Sequence, residues 1–292
     1  MNILISGGTG FLGSHMVDLL VAEGHQVIIL TRAGSSTSKI SHNLDKVSLF
    51  DISDRSLSEA FSDSQIDQVI HLATYYGHDD NKYQVFASNL LFGNKLLELS
   101  IKYKVKRFLN TDSFSSQQDG LDYLPAYHLS KRHFKEWGEL MTKDTGTRFF
   151  TLYLQHPYGT RDNDKKFTAF IIKKMFSGEP SVNLTAGKQR RDFIHSSDVA
   201  RAYLAVMTAT DPLANDYQVG TGKSLSIKGF VQLVKKLSGN EDIELKFGAL
   251  PTRANEIMET KADISALAAL GWEPQMDLSD GLTELVEYYR PT

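Results

Sequence analysis

The chain has 292 residues, 41% of them hydrophobic, contains no cysteine and carries a formal net charge of −3. This length supplies one large hydrophobic core or two unequal ones, and the lack of cysteine excludes disulfides, thiolate metal sites and cysteine nucleophiles. The balanced charge, the missing basic and apolar leader, and the lack of an apolar run of about 18 residues predict a cytoplasmic protein that binds neither nucleic acid nor membranes.

A strand, a glycine-rich turn and a helix open the chain. An apolar run at residues 3–5 precedes GGTGFLG at residues 7–13, and apolar residues at helical spacing follow over 16–20. Such a turn lets a pyrophosphate approach bare backbone at the positive end of a helix, and its glycine spacing matches the dinucleotide fingerprint. An ordinary glycine-rich turn is the alternative. The expected cofactor contacts in this turn are Gly7, Thr9, Gly10, Phe11, Leu12 and Gly13.

Strand and helix patterns then alternate along the chain. Strands are predicted at 26–30, 47–50, 69–72, 105–110 and 149–154, and helices at 56–61, 88–103 and 126–141. Later helices are predicted at 167–176, 197–208, 227–237, 264–270 and 278–289, with short strands near residues 217 and 243. Repeated alternation is typical of a parallel sheet covered on both faces. The predicted fold is therefore α/β: a doubly wound Rossmann sheet in residues 1–160, and a smaller α/β substrate-binding lobe in 161–292, partly interleaved with the sheet.

The end of the second strand bears on the choice of cofactor. An acidic residue there would bond the ribose 2′-hydroxyl of NAD, but this strand ends in Thr31 and Arg32. A guanidinium can bind a 2′-phosphate that a carboxylate would repel, so NADP(H) is the predicted cofactor. The alternative for Arg32 is a solvated surface arginine. Asp51, followed by Ile52 after the third strand, is expected to meet the adenine amine, unless it serves as a turn or cap aspartate.

The sequence Tyr127-His128-Leu129-Ser130-Lys131 places a phenol and an ammonium on one helical face. A neighbouring ammonium stabilises phenolate, so we expect Lys131 to lower the pKa of Tyr127 towards working pH. The tyrosine could then exchange a proton with a carbonyl oxygen as a hydride is transferred. Thr111 ends the preceding strand and could bond the same oxygen, although a turn or capping hydroxyl is the alternative.

These features together resemble the extended short-chain dehydrogenase/reductase family, also called the NAD-dependent epimerase/dehydratase family, which mostly acts on nucleotide-diphosphate sugars. The resemblance covers nearly the whole chain. It extends to 71–73, Asn89, 158–159, 191–195 and 198–200. Segments 71–78, 108–114, 131–134 and 253–258 are similar to the branch that reduces CDP-linked 4-keto-3,6-dideoxyhexoses to abequose-type and paratose-type products for lipopolysaccharide O-antigen.

The resemblance implies roles for individual residues. Tyr127 would protonate the alkoxide that forms at C4, Lys131 would bond the nicotinamide ribose, and Thr111 would orient the ketone oxygen. Further cofactor contacts would come from Leu72, Ala73, Thr74 and Asn89, besides Tyr127 and Lys131. Substrate contacts would come from Tyr75, His78, Asp112, Ser113, His156, Lys166, Phe167, Arg191, Arg253 and Glu256.

Some of these assignments have open alternatives. Arg191 and Arg253 are expected to bind the substrate diphosphate, and the alternative for each is a surface charge. His156 would touch the sugar or a phosphate, or else be a satisfied buried histidine. No metal ion is expected. The predicted helices at 88–103 and 126–141 would pair in a homodimer, or their outer faces would be solvated.

The reaction also has alternatives. Dehydratases of the family carry Thr-Asp-Glu where this chain has Thr111-Asp112-Ser113, so dehydration is not expected. The leading hypothesis is NADPH-dependent reduction of a CDP-linked 4-ketosugar, with an abequose-type product favoured. The alternatives on the same fold are a dTDP- or GDP-linked 4-ketosugar reductase and a nucleotide-sugar epimerase. A sensor that binds NADP(H) without catalysis is disfavoured because the Tyr–Lys pair is intact.

Overall fold

The computed structural model describes residues 1–77, 81–118, 122–212 and 214–291. The strands are β1 (Asn2–Ser6), β2 (Gln26–Thr31), β3 (Val47–Asp51), β4 (Gln68–His71), β5 (Arg107–Ser113), β6 (Arg148–Leu154), β7 (His156–Tyr158), β8 (Ser181–Leu184), β9 (Arg190–Arg191), β10 (Phe193–His195), β11 (Asp216–Val219), β12 (Leu225–Ser226) and β13 (Glu244–Phe247). The helices are α1 (Phe11–Ala22), α2 (Glu59–Ser62), α3 (Lys82–Phe86), α4 (Phe92–Lys102), α5 (Pro125–Thr142), α6 (Phe167–Met175), α7 (Ser196–Thr208), α8 (Ile227–Ser238), α9 (Ser265–Ala268) and α10 (Leu278–Tyr289).

A parallel sheet forms the centre of the described chain. Its seven strands follow the order β11-β6-β5-β4-β1-β2-β3. Strands β1 to β6 follow the 3-2-1-4-5-6 order of doubly wound dinucleotide-binding folds, which place ligands at the carboxyl ends of the strands. The predicted α/β class and parallel sheet are confirmed.

Alternating residues of β1 face opposite layers of helices. Ile3 and Ile5 pack in one cluster with residues of α1, α7 and α9, whereas Leu4 packs in a second cluster with residues of α2, α4 and α5. All three are fully buried. A strand buried on both faces requires a continuous apolar run, which explains the unbroken Ile-Leu-Ile sequence.

A third hydrophobic cluster involves residues 158–286, with side chains from α6, α8 and α10 around β8 and β10. The rings of Phe193 and Phe230 stack there with centroids 4.1 Å apart. From the same stretch of chain, β11 returns to the central sheet and pairs with β6. Every helix in the described residues is too short or too polar to cross a lipid bilayer.

Two predicted helices differ from the observed ones. The helix predicted at 56–61 is regular only over Glu59–Ser62. The one predicted at 88–103 begins earlier, because α3 continues through a π-helical segment, Ala87–Leu91, into α4. Single π-helical turns inside α-helices are frequent at functional sites, and this one contains Asn89.

Candidate active site

A cavity of about 450 Å³ opens at the carboxyl ends of β1, β4, β5 and β6. It brings together many of the predicted site residues, which are distant in sequence. Those that line it are Gly7, Thr9, Gly10, Phe11, Leu12, Gly13, Arg32, Leu72, Ala73, Thr74, Thr111, Asp112, Ser113, Tyr127, Lys131 and Lys166. The predicted cofactor turn and the predicted catalytic pair therefore share one cavity.

Two glycines of the turn, Gly7 and Gly13, have no space for a side chain. Gly7 has a φ of +78°, and a Cβ on Gly13 would lie 2.0 Å from the Gly7 carbonyl oxygen. The turn delivers the chain into α1 at Phe11, and no described side chain caps the backbone N–H groups at this end. Bare backbone and free N–H groups at a helix N-terminus suit a pyrophosphate, so these residues fit a dinucleotide.

Tyr127 and Lys131 lie one turn apart near the start of α5. Tyr127 is 6% exposed and Lys131 is 2% exposed. The Lys131 ammonium donates a hydrogen bond of 2.8 Å to the carbonyl oxygen of Thr111. This bond ties α5 to the end of β5 and fixes where the two side chains meet the cavity.

Burial dominates the electrostatics of this pair. It raises the pKa of Tyr127 well above its ordinary value, and the nearby Tyr76 and Asp112 raise this pKa further. Burial also lowers the pKa of Lys131 to about 8. The prediction that Lys131 brings the Tyr127 pKa down towards working pH is therefore wrong for this structure, because burial and the neighbouring groups raise this pKa more than the hydrogen bond to Ser113 lowers it. A phenol that stays protonated is suited to donate a proton.

The two hydroxyls at the end of β5 have different partners. The Thr111 hydroxyl is hydrogen-bonded to the buried Tyr203 hydroxyl at 2.6 Å. The Ser113 side chain hydrogen-bonds the Tyr127 phenol. Of the two, Ser113 is therefore better placed than Thr111 to act beside the phenol.

Asn89 lies outside the cavity and holds the loop that borders it. Its Oδ1 accepts from the Tyr75 backbone N–H at 2.7 Å, and its Nδ2 donates to the Tyr75 carbonyl at 2.9 Å and to Ser130 Oγ at 3.0 Å. The side chain is 2% exposed. Asn89 thus joins the loop after β4 to α5.

Three predicted residues near the ends of β2 and β3 also lie outside the cavity. The Thr31 carbonyl accepts from the Ile52 backbone N–H at 3.0 Å. Asp51 Oδ1 accepts from the Ser53 backbone N–H at 2.8 Å, which is the turn role weighed as its alternative.

The predicted diphosphate ligands are engaged elsewhere in this structure. Arg191 is 6% exposed; it is ion-paired with Glu256 and donates to the Ile257 carbonyl at 2.6 Å. The Arg253 guanidinium lies 4.2 Å from the centre of the Tyr123 ring. Both arginines lie outside the cavity, although the ion pair shows that Arg191 is not a simple surface charge.

The remaining predicted substrate contacts are dispersed. The His156 ring packs against Phe114 with centroids 4.7 Å apart, and in the described part of the chain its buried Nδ1 has no hydrogen-bond partner. Phe167 begins α6 and contacts Phe230 with centroids 5.9 Å apart. His78 lies outside the described residues.

The model of the NAD dependent epimerase/dehydratase family matches residues 3–220. The chain belongs to this family. The resemblance predicted from the sequence is thereby confirmed.

Relatives and solved structures of the family cover almost the entire chain. A CDP-abequose synthase of Salmonella typhimurium is 35% identical, over 98% of this chain and 97% of its own length. A UDP-glucose 4-epimerase of Thermotoga maritima, solved with UDP-glucose, is 25% identical with a TM-score of 0.86, over 99% of this chain and 98% of that one. A Thermus thermophilus UDP-glucose 4-epimerase complexed with NAD is 23% identical with a TM-score of 0.83, covers 99% of each chain and shows the shared fold.

Tyr76 and Lys166, which the resemblance predicted as a substrate contact, make further contacts at the cavity, and some other lining residues had no signal that sequence reasoning could use. The Tyr76 ring packs on the Tyr127 ring with centroids 4.8 Å apart. The Lys166 ammonium lies 5.1 Å from the centre of the Phe11 ring and pairs with Asp162 at 3.2 Å. Lys39 also lines the cavity. Beyond these, the structure adds Leu154, Gln155, Pro157 and Asn163 to the lining.

Proposed function

We propose that this enzyme uses NADPH to reduce the C4 ketone of a nucleotide-linked 4-keto-6-deoxyhexose. The substrate that we propose within this class is a CDP-4-keto-3,6-dideoxyhexose, and its product is of the CDP-abequose type. The observation that carries the proposal is the cavity in which a dinucleotide-binding turn faces the buried Tyr127 and Lys131. The 35% identity to a CDP-abequose synthase over 98% of the chain supports the choice of substrate.

The bound dinucleotide would supply a hydride to C4. Tyr127 then donates its phenolic proton to the ketone oxygen, because burial keeps the phenol protonated until the oxygen gains negative charge. The Lys131 ammonium, held by the Thr111 carbonyl, places a positive charge beside this reaction. Residues 1–160 hold the dinucleotide in this account, and residues 161–292 hold the nucleotide sugar.

The charges around the cavity suit an anionic substrate. Lys166 lines the cavity beside Phe11 of the glycine turn, and its ammonium can exchange Asp162 for a phosphate oxygen. Arg253 contacts an aromatic ring without a carboxylate partner among the described residues, so it can turn towards a diphosphate. We assign Arg191, held by Glu256, to the same diphosphate.

Substitution of Arg32 tests the proposed choice of NADP(H). Arg32 lines the cavity, and the end of β2 supplies no carboxylate. We expect Arg32→Ala to weaken NADPH binding about 10- to 100-fold, or about 1.4 to 2.7 kcal/mol, and to leave NADH binding nearly unchanged. Isothermal titration with both dinucleotides measures this, and Arg290→Ala, remote from the cavity, is the control. Equal weakening for both would place the 2′-phosphate elsewhere and favour the NAD use typical of the family.

An epimerase is the second candidate, favoured by the TM-score of 0.86 with a UDP-glucose 4-epimerase. The purified enzyme should be given CDP-4-keto-3,6-dideoxyglucose with NADPH and, separately, UDP-glucose without added cofactor. The reductase oxidises NADPH stoichiometrically with the ketosugar and leaves UDP-glucose unchanged. Formation of UDP-galactose with a co-purified cofactor that stays bound would instead identify the epimerase.

A further inference from the structure

A continuous series of hydrogen bonds leads away from the Tyr127 phenol. The phenol bonds the Ser113 side chain. Ser113 Oγ lies 2.8 Å from Ser115 Oγ, and Ser115 Oγ lies 3.1 Å from His128 Nδ1. The described structure thus connects the phenol to an imidazole through two hydroxyls that can each accept one proton and donate another.

Three of the other polar residues near Tyr127 are committed to different bonds, whereas Asp112 accepts from the Ser113 backbone N–H through Oδ1 and its buried Oδ2 has no partner among the described residues. The Lys131 ammonium donates to the Thr111 carbonyl, and the Thr111 hydroxyl pairs with Tyr203. Both polar atoms of the Asn89 side chain bond the loop at Tyr75. Tyr127 is 6% exposed, so a phenolate formed there has little direct contact with water.

We propose that Ser113, Ser115 and His128 form a proton relay that reprotonates Tyr127 after each turnover. The proposal rests on the reduction described above. When the phenol gives its proton to the ketone oxygen, the phenolate takes the Ser113 proton and Ser113 takes the Ser115 proton. Ser115 then takes the proton on Nδ1 of the protonated His128 ring. The ring regains one proton from water, so each turnover consumes one solvent proton and restores all four groups.

The surroundings of His128 suit a group that gives up its proton readily. Burial lowers the pKa of His128; a hydrogen bond to the Tyr123 backbone raises it, and the charge of Arg132 lowers it. The Tyr127 ring packs edge-on against the imidazole with centroids 5.2 Å apart. His128 is as buried as Tyr127, but it is hydrogen-bonded to the backbone of Tyr123, which is 55% exposed, so the imidazole lies next to the protein surface. Ser115 and His128 therefore act through Tyr127 and are positioning residues.

The relay predicts that later turnovers slow while the first does not. In Ser115→Ala, the first equivalent of NADPH per active site should be oxidised at the wild-type rate, because Tyr127 starts protonated. Subsequent turnovers should be about 10- to 100-fold slower, with a larger solvent deuterium isotope effect than wild type. Rapid-mixing absorbance measurements separate the two phases. His128→Phe, which keeps an aromatic ring beside Tyr127, should behave in the same way and serves if Ser115→Ala does not fold.

Ser116→Ala is the matched control, since the buried Ser116 hydroxyl donates to the Ser113 carbonyl at 2.8 Å and lies outside the relay. It should cycle at the wild-type rate. If Ser115→Ala cycles at the wild-type rate, or slows the first turnover as much as later ones, the relay is wrong. A first turnover slowed as much as the later ones would show that Ser115 only shapes the turn that contains it.

A second measurement needs no substrate. The ¹⁵N resonance of His128 Nδ1 should shift in Ser115→Ala and in Ser113→Ala relative to wild type and Ser116→Ala, because the chain of hydrogen bonds is broken. A His128 resonance that is unchanged in both variants would overturn the relay but leave the proposed reduction standing. A wild-type enzyme that oxidises no NADPH with the ketosugar would overturn the proposed reduction instead.

Discussion

Tyr127→Phe should abolish turnover while the protein still binds its dinucleotide. The variant loses the hydroxyl that we propose as the proton donor and keeps the ring that packs against Tyr76 and His128. A general acid contributes about 100- to 10,000-fold to rate, so we expect kcat to fall at least about 100-fold. The dissociation constant for NADPH should change little, because the glycine turn and Arg32 are untouched.

Steady-state NADPH oxidation and calorimetric binding of NADPH together check this expectation. Tyr83→Phe removes the same atom from a side chain that is 78% exposed in α3, and it should leave both quantities at their wild-type values. Turnover retained by Tyr127→Phe would show that another group donates the proton. Lost NADPH binding would show that the phenol serves mainly to build the cofactor site.

Gly13→Ala should remove dinucleotide binding through a single methyl group. A Cβ at this position would lie 2.0 Å from the Gly7 carbonyl oxygen and 2.7 Å from the Gly8 Cα, so the turn must move. The bare backbone that a pyrophosphate would approach is then displaced. We expect NADPH binding to weaken by at least about 100-fold, or about 2.7 kcal/mol, and the melting temperature to fall.

Gly146→Ala provides the comparison, because a Cβ at Gly146 has no heavy atom within 4 Å. It should bind NADPH as the wild type does. Calorimetric titration and thermal unfolding of both variants measure the two effects. Wild-type affinity in Gly13→Ala would mean that the turn does not form the pyrophosphate site.

Local patterns predicted the centre of the fold well, because strand, turn and helix are encoded within a few residues of each other. The Ile3–Ile5 run must be apolar to be buried on both faces, and the glycine turn needs its spacing to pass into α1. The same holds for Tyr127 and Lys131, whose spacing of four places them on one face of α5. These features required no knowledge of distant contacts.

Contacts between distant segments could not be predicted in this way. Thr111 pairs with Tyr203, which is 92 residues away, so the spacing around Thr111 gave no sign that its hydroxyl is occupied. Arg191 pairs with Glu256, 65 residues away. The pKa of Tyr127 was mispredicted for a related reason: the charge of Lys131 is visible in the sequence, whereas the burial that raises this pKa is not.

The π-helical segment illustrates the same limit on a smaller scale. Apolar spacing predicted one regular α-helix from residue 88, but the helix has wider, π-helical turns over Ala87–Leu91. Asn89 in this segment bonds the backbone of Tyr75 and the hydroxyl of Ser130. The irregular turn therefore accompanies contacts with a loop and a helix that periodicity does not detect.

The most direct test of the proposed reduction follows the hydride itself. NADPH carrying deuterium at both hydrogen positions of nicotinamide C4 should be incubated with CDP-4-keto-3,6-dideoxyglucose and the enzyme, and the product examined by NMR and mass spectrometry. The account predicts one deuterium at C4 of the sugar for each NADPH oxidised. A sugar product that carries no deuterium at C4, or unchanged ketosugar in the presence of folded enzyme that binds NADPH, would contradict it.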